Sequence, residues 1–347
     1  MSLTQLIKYI KKFGPLALLG VIIFFILFYS IRVALILNKN RQGENIVLNP
    51  VFGKLTKPEI PISTTSAGFK FQIDTIEGKP VTATKSANVY SLLPTSTKFG
   101  YRDRISKMAK QLGFVDTNTY SLIGDTTTFK NENQSLDIKI SNFNFKYLYQ
   151  YEKDADLFIR SIIPTAQESV NNSISLLQSL DRFSDEFDSA NTTSSYFYFN
   201  SEKKITVPVA RNIDANIVEV NFFRKNLEDI PTVSTRFPNS NDFVRLASSS
   251  KEFVPIEVQV NFFERSLDKV GAYPLITGDV AFESLKKGDG IVLLNSKPEN
   301  KNITIKKMYI AYFEPDVYMG YLQPYYVFEG DGFAAIVYAI SSEYQEE

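Results

Sequence analysis

Residues 15–37 form an almost continuous apolar run, PLALLGVIIFFILFYSIRVALIL, which constrains the fold more than any other segment. At 1.5 Å rise per residue, about 20 apolar residues cross a bilayer core that is roughly 30 Å thick. Arg32 is the single charge in the run, and it lies near enough to the end for its long side chain to reach the headgroups. The run therefore predicts a transmembrane helix from Pro15 to Leu37.

Two other interpretations of this run stay open. A cleaved signal peptide has a shorter apolar core, and the following LNKNRQGE offers no small-x-small cleavage site. Alternatively, Arg32 is a functional intramembrane charge that contacts a helix of another protein together with Gly20 or Ser30. An uncleaved anchor explains the length of the run best.

The flanking charges predict the orientation of the anchor. Three basic residues precede the run and two follow it: Lys8, Lys11, Lys12, Lys39 and Arg41. The excess on the first side predicts a cytoplasmic tail at 1–14 and an extracytoplasmic body after the anchor, in the cell membrane of a bacterium. Beyond residue 44 the chain has 32 basic and 37 acidic residues, a net charge of −5, so no basic face for nucleic acid is expected.

The composition argues against most enzyme chemistry. The chain has no His and no Cys, which removes the usual zinc ligands, the commonest general base and the thiolate nucleophile. We therefore predict no catalytic residues, no metal site and no cofactor. The 28 Phe and 19 Tyr favour a fold that is rich in strands.

The pattern beyond the anchor predicts an α+β fold, in which helices are laid on antiparallel sheets in two extracytoplasmic lobes. Residues 38–66 contain three prolines and no lasting period, so they are predicted to be a stalk. Alternating strands and the helix YRDRISKMAKQLGF place a first lobe at 67–150. A helical connector at 151–190 and a second α+β domain at 191–347 complete the prediction.

Two segments of the second domain share a sequence. VEVNFFRKNL at 218–227 and VQVNFFERSL at 258–267 match at six positions, which suggests either a duplicated unit or two equivalent strands. Both interpretations stay open.

The chain closes on YLQPYYVFEGDGFAAIVYAI, two apolar runs joined by Asp331 and Gly332. This pair predicts a β-hairpin with a tight primed turn, whose central residues have positive φ. Both alternating sets of FAAIVYAI are apolar, so we expect a strand that is covered on both faces, with the helix at 279–287 on one of them.

Residues 273–347 resemble a known family. The order YPLITGDVAFESLKKGDG, ITIKKMYIAYFEP and the closing hairpin is similar to the C-terminal module of YycH/YycI-type membrane-anchored regulators and of YpeB-like, PepSY-type domains. The resemblance implies one N-terminal span and an extracytoplasmic part of paired helix-and-sheet lobes. It also implies a role in binding a sensor histidine kinase or restraining an envelope enzyme.

Three functions follow as hypotheses. The first is a regulator that acts by protein–protein interaction with another envelope or membrane protein. The second is an envelope-polymer-binding or adhesive surface protein. Its candidate surface is a set of four aromatic side chains that could stack on sugars or a partner: Tyr318, Tyr321, Tyr325 and Tyr326.

The third hypothesis is an enzyme. Its candidate acids are Asp185 with Glu186, or Asp289 with Asp331, since glycoside hydrolysis needs two carboxyl groups in one cleft. Solvated loop acids explain these residues more simply, so the chain is not expected to be an enzyme.

Overall fold

The computed structural model describes residues 20–32, 48–58, 60, 64–82, 84–159, 162–249, 252–314 and 316–346. They belong to two units, Met1–Val47 and Leu48–Glu347. In the first unit, residues 20–32 form a helix, α1, with exposed side chains. Within the described part of the chain, no helix has the length and apolar composition needed to span a membrane. The predicted ends of the anchor, Pro15 and Leu37, and the predicted tail at 1–14 lie outside the described residues.

The second unit is α+β, as the sequence predicts. Its helices are α2 (Tyr101–Gln111), α3 (Ala166–Ser179) and α4 (Gly278–Lys287). Its strands are β1 (Lys70–Ile73), β2 (Ser86–Leu92), β3 (Ser121–Ile123), β4 (Thr126–Lys130), β5 (Gln134–Lys139), β6 (Phe145–Tyr149), β7 (Thr193–Asn200), β8 (Ile205–Val209), β9 (Ile217–Phe222), β10 (Thr232–Ser234), β11 (Asp242–Ser248), β12 (Phe253–Val260), β13 (Arg265–Pro274), β14 (Ile291–Asn295), β15 (Asn302–Glu314), β16 (Tyr321–Leu322), β17 (Pro324–Gly330) and β18 (Phe333–Tyr338).

The strands form three sheets. The nine-stranded sheet has the order β3-β4-β5-β6-β12-β11-β9-β7-β8, with antiparallel neighbours throughout. The six-stranded sheet has the order β1-β15-β17-β18-β14, with β10 also on β15. A three-stranded sheet, β13-β2-β16, completes the unit. The prediction of purely antiparallel sheets is wrong, because β1 and β10 run parallel to β15 at its two ends.

Local sequence explains several of the helix boundaries. Gly113, with φ +85°, follows the end of α2, and α4 ends at Gly288, with φ +99°, because glycine adopts these left-handed conformations without a Cβ clash. The Oγ1 atom of Thr165 accepts the N–H of Glu168 at 3.3 Å and caps α3. Helices α2 and α3 cover one face of the nine-stranded sheet, where Ile105 and Leu177 are fully buried.

The sheets do not follow the predicted lobe boundaries. Strand β6, from the predicted lobe at 67–150, pairs with β12 of the predicted domain at 191–347. Strands β1 and β2 likewise pair with β15 and β13. Residues 48–347 therefore form one compact unit whose sheets join distant parts of the chain.

The described part of the predicted stalk is packed against this unit. Leu55 is 1% exposed, and its N–H donates to the carbonyl oxygen of Tyr344 at 2.8 Å. Ser66 is fully buried and donates from Oγ to the carbonyl oxygen of Leu285 at 2.7 Å. The described residues between 48 and 66 are thus a covering segment rather than a spacer, because scattered apolar and polar side chains anchor them without a regular period.

The closing hairpin forms as expected, with one difference in its turn. Both faces of β18 are buried, and α4 packs on it. Gly330 pairs with Phe333 across two residues, but only Gly332 has a positive φ, +70°. The turn is therefore not the type I′ turn, which needs positive φ at both central residues.

The two similar segments lie on either side of β11 with registers that differ by two residues, since Val218 pairs with Leu246 but its counterpart Val258 pairs with Val244. Val220 of β9 and Val258 of β12 both pair with Val244. The rings of Phe222 and Phe262 lie 5.7 and 5.1 Å from the ring of Phe187. Equivalent burial explains the shared sequence, whether or not the segments arose by duplication.

Candidate binding cleft

A cleft of about 980 Å³ opens where four connections meet. Its walls come from residues 93–98 before α2, the β5–β6 turn at 141–143, the α3–β7 connection at 181–186 and residues 262–267 after β12. Arg104 projects into the same cleft from α2. The cleft therefore collects side chains that lie far apart in the sequence.

Arg104 is held by two residues with unusual backbone conformations. Its Nη2 atom lies 2.9 Å from Oδ2 of Asp181 and donates to the Asp181 carbonyl oxygen at 3.1 Å. The guanidinium carbon lies 4.1 Å from the ring centroid of Phe143. Phe143 and Asp181 have φ values of +59° and +54°. For the bulky Phe143 such a φ is unfavourable, and strained positions of this kind cluster at functional sites. For Asp181 it is the usual conformation after a helix end, where the N–H groups of Asp181 and Arg182 donate to the carbonyl oxygens of α3.

Arg182 is the second guanidinium of the cleft. Its Nη2 atom donates to Oδ1 of Asn144 at 2.9 Å. Burial, together with the charge of Arg104, lowers the pKa of Arg182 to about 10, although Asp242, Glu264 and Asp181 act in the opposite direction. The surrounding carboxylates therefore do not offset the cost of burying this charge.

Both arginines keep unused donors. The Nε atoms of Arg104 and Arg182 are shielded from solvent and have no hydrogen-bond partner. A guanidinium has five N–H donors, and here each group engages protein acceptors through Nη2 only. Buried donors without partners cost about 1–3 kcal/mol each. The Nη1 atoms of both arginines also have no acceptor among the described residues, and they remain accessible to another molecule.

The neighbouring wall is an ion-pair network. Arg224 is 3% exposed and uses all three guanidinium nitrogens: Nη1 on Glu186, Nε on Glu314 at 2.7 Å, and Nη2 on the Phe263 carbonyl oxygen at 2.8 Å. Arg265 adds a contact of 3.0 Å from Nε to Oε2 of Glu186. This network fixes the β12–β13 and α3–β7 connections against each other.

The structure places the two predicted acid pairs in different parts of the fold. Glu186 accepts from two guanidinium groups, and the adjacent Asp185 is exposed. Asp331 accepts from Nζ of Lys306 at 2.6 Å in the hairpin turn, and Asp289 is an exposed residue after α4. Neither pair presents two unengaged carboxyl groups to a cleft.

The rim of the cleft is apolar. Leu93 is 44% exposed and Leu267 is 75% exposed. Tyr318 stands beside them, with its ring 5.9 Å from that of Phe263 and its hydroxyl donating to the Leu92 carbonyl oxygen at 3.2 Å. Guanidinium groups inside and leucines outside give the cleft both charge and apolar area.

The predicted surface of four tyrosines does not form. Tyr325 and Tyr326 are 1% and 0% exposed, because neighbouring residues of β17 point to opposite faces of the sheet and both faces are covered. Burial raises the pKa of Tyr326 to about 12, and its hydroxyl donates to the Ile276 carbonyl oxygen at 2.9 Å. Tyr321 is partly buried against Phe52, and only Tyr318 is exposed at 39%.

The face of the nine-stranded sheet opposite α2 and α3 is covered in part by residues 155–158, and it carries a second, smaller cleft of about 400 Å³. Asp137, Lys146 and Gln259 line it as cross-strand neighbours. Arg236 overhangs it and donates to both carboxylate oxygens of the buried Glu219 at 3.0 and 3.1 Å. Among the described residues, no three potential metal-ligating side chains come together.

Sequence reasoning missed the two arginines of the larger cleft. Arg104 lies in a helix and Arg182 in a turn-rich segment, and neither is part of a motif. Their proximity depends on how α2 and α3 pack on one sheet face, which a single sequence does not encode in any local pattern.

No family model matches the chain, and no curated protein matches its sequence. Among solved structures, the chain is similar to an uncharacterized protein from Eubacterium rectale ATCC 33656, with 11% identity over 76% of this chain and 87% of that chain, and a TM-score of 0.37. It is also similar to YycH from Bacillus subtilis, with 11% identity, a TM-score of 0.34 and coverage of 78% of this chain and 56% of that chain. The YpeB-like and PepSY-type part of the resemblance stays a prediction.

Proposed function

We propose that the chain is a membrane-anchored protein of the cell envelope that acts by protein–protein interaction, and that the larger cleft receives the partner. The observation that carries this proposal is the pair Arg104 and Arg182, whose Nε donors have no protein acceptor. Exposed Leu93 and Leu267 at the rim add apolar area beside these charges. Unused donors next to exposed apolar side chains are typical of a surface that binds another molecule.

The proposed location in the cell envelope rests on the sequence of residues 15–37. Their apolar composition and the helix at 20–32 support an anchor with the N-terminus in the cytoplasm and residues 48–347 outside it. Within the proposal, the specific role is YycH/YycI-like regulation of a sensor kinase or an envelope enzyme, which the sequence resemblance of residues 273–347 suggests.

Binding is favoured over catalysis because two of the acids of the cleft form ion pairs with arginines, while the other two, Asp185 and Glu264, are exposed. Glu186 is committed to Arg224 and Arg265, and Asp181 to Arg104. The proposal of polymer binding through tyrosines has lost its main support, since Tyr325 and Tyr326 are buried.

Site-specific photo-crosslinking in the native membrane tests the proposal. A photoreactive amino acid replaces Leu267 at the rim or, as a control, Ile123 of β3, which is 79% exposed and does not line the cleft. We expect the Leu267 position to capture a protein that the Ile123 position does not. Capture of no protein at Leu267, or equal capture at both positions, would contradict the proposal.

A further inference from the structure

The two arginines of the cleft, Arg104 and Arg182, differ from Arg224, the buried arginine of the neighbouring wall. Arg224 has an acceptor for every guanidinium nitrogen, two of them carboxylates. Arg104 and Arg182 have acceptors for Nη2 only, and each leaves Nε without one. Arg224 is therefore saturated by the protein, and the pair is not.

Like charges of this kind do not normally share a partly buried site unless something compensates them. The carboxylate of Asp181 engages Arg104, but its own side chain is 80% exposed. Arg182 receives only the neutral amide oxygen of Asn144. A negative group in the cleft would accept from the Nη1 atoms of the two guanidinium groups, which have no acceptor among the described residues and are not shielded from solvent as the Nε atoms are.

The backbone holds the pair in place from both sides. Phe143, under the Arg104 guanidinium, and Asp181, which binds it, both have left-handed conformations. Both positions are next to Arg182 or its partner: Asn144, which follows Phe143, accepts from Arg182, and Arg182 itself follows Asp181. Phe143 and the helix-ending Asp181 thus help to fix the geometry of two arginines, which is how preorganised binding sites are built.

We propose that Arg104 and Arg182 together bind a carboxylate of an acidic peptide segment in the partner, and that the leucines of the rim contact apolar residues next to it. This inference rests on the proposed function, because it specifies which part of a partner protein enters the cleft. The planar guanidinium matches a carboxylate with paired N–H donors.

The rim decides between a peptide and a phosphate-rich polymer. Leu93 and Leu267 are exposed within the same cleft, and a densely charged, strongly hydrated polymer has nothing to place against them. A peptide with an acidic residue flanked by leucine or phenylalanine satisfies both parts of the cleft.

The test uses the full-length chain in detergent micelles and measures peptide affinity by titration calorimetry. The probe is a blocked hexapeptide of alternating leucine and glutamate, and the control peptide has glutamine in place of glutamate. We expect the acidic peptide to bind about 10-fold to 100-fold more tightly than the neutral one, as charge-assisted hydrogen bonds predict. Equal affinities in the unmodified protein would overturn the inference without any variant.

The variants Arg104→Gln and Arg182→Gln are each expected to weaken acidic-peptide binding at least tenfold. The matched control is Arg211→Gln, which removes the same charge from an exposed arginine paired with Asp214. Unchanged affinity in both cleft variants, or an equal loss in Arg211→Gln, would overturn the inference. Inorganic polyphosphate is the second probe. Binding of polyphosphate without binding of the acidic peptide would also overturn the inference.

The crosslink at Leu267 separates failure of this inference from failure of the proposed function. A crosslink that is lost in both glutamine variants supports the inference. A crosslink that persists in both contradicts carboxylate recognition but leaves protein binding intact. No crosslink in the unmodified protein contradicts the proposed function itself.

Discussion

Arg182 lies in the cleft and Arg224 lies in the neighbouring wall. The hydrogen-bond partners of the two guanidinium groups predict different effects of substitution on stability. Arg224 ties Glu186 and Glu314 into one network, whereas Arg182 has the neutral acceptor Asn144 and a depressed pKa. A group whose charge is poorly compensated adds little to stability, and sites kept for binding often have this property.

We therefore expect Arg224→Met to lower the free energy of unfolding by about 3–5 kcal/mol, because it leaves two carboxylates unpaired. Arg182→Met should cost less than about 1 kcal/mol, since it removes an under-compensated charge. Urea denaturation of both variants measures the difference. An equal loss in the two variants would mean that Arg182 is a structural residue.

The buried carboxyl group of Asp242 predicts that the stability of the fold depends on pH. It is 2% exposed, and burial followed by the charge of Glu314 raises its pKa to about 7, against the lowering effect of the Asn261 N–H, Arg224 and Arg182. The folded state thus keeps a proton that the unfolded chain releases near pH 4. The tighter proton binding of Asp242 in the folded state therefore stabilises the fold fully below about pH 4, and this stabilisation is lost as the pH rises through 7.

The chain has no histidine, so few other side chains titrate between pH 5 and pH 8. We expect the urea midpoint of the unmodified protein to fall over this interval, and that of Asp242→Asn to stay nearly constant. Parallel pH profiles for the two proteins would show that Asp242 is not the titrating group.

At the scale of elements, the sequence predicts most helices and strands but not the details of their ends. The apolar period and the glycines predict α2, α4 and the closing hairpin, because Gly113 and Gly288 mark the helix ends and Gly332 marks the turn. The turn type at Gly332 is missed, since it depends on how the hairpin meets β14 and β15.

Gly330 shows this dependence. A Cβ there would lie 2.4 Å from the carbonyl oxygen of Thr304 on β15, a backbone atom that has no room to move. We expect Gly330→Ala to destabilise by about 1–3 kcal/mol through overpacking. Gly124→Ala, at another strand turn with φ +58° and open space around it, controls for backbone strain alone. A smaller loss at Gly330 than at Gly124 in urea denaturation would contradict the packing.

At the scale of the whole molecule, the predicted two lobes and the observed single unit differ for one physical reason. Local periodicity identifies β6 and β12, but nothing local says that Tyr147 will pair with Val258. The cleft is built from these long-range arrangements, so the fold class was predictable and the site was not.

The shared nine-stranded sheet predicts cooperative unfolding of residues 48–347. Ile138→Ala in β5 and Val220→Ala in β9 each empty a fully buried position, in different predicted lobes. We expect Ile138→Ala to lower the free energy of unfolding by about 2–5 kcal/mol and Val220→Ala by somewhat less, each in a single transition with coincident circular dichroism and tyrosine fluorescence curves. Two separated transitions would restore the two-lobe arrangement.

Hydrogen–deuterium exchange on the full-length chain, with and without its captured partner, tests the central claim of partner binding in the cleft most directly. The account predicts protection by the partner at residues 93–98, 141–143, 181–186 and 262–267, the connections that line the cleft. Protection confined to the face of the nine-stranded sheet opposite α2 and α3 or to the closing hairpin, with these connections unchanged, would contradict it.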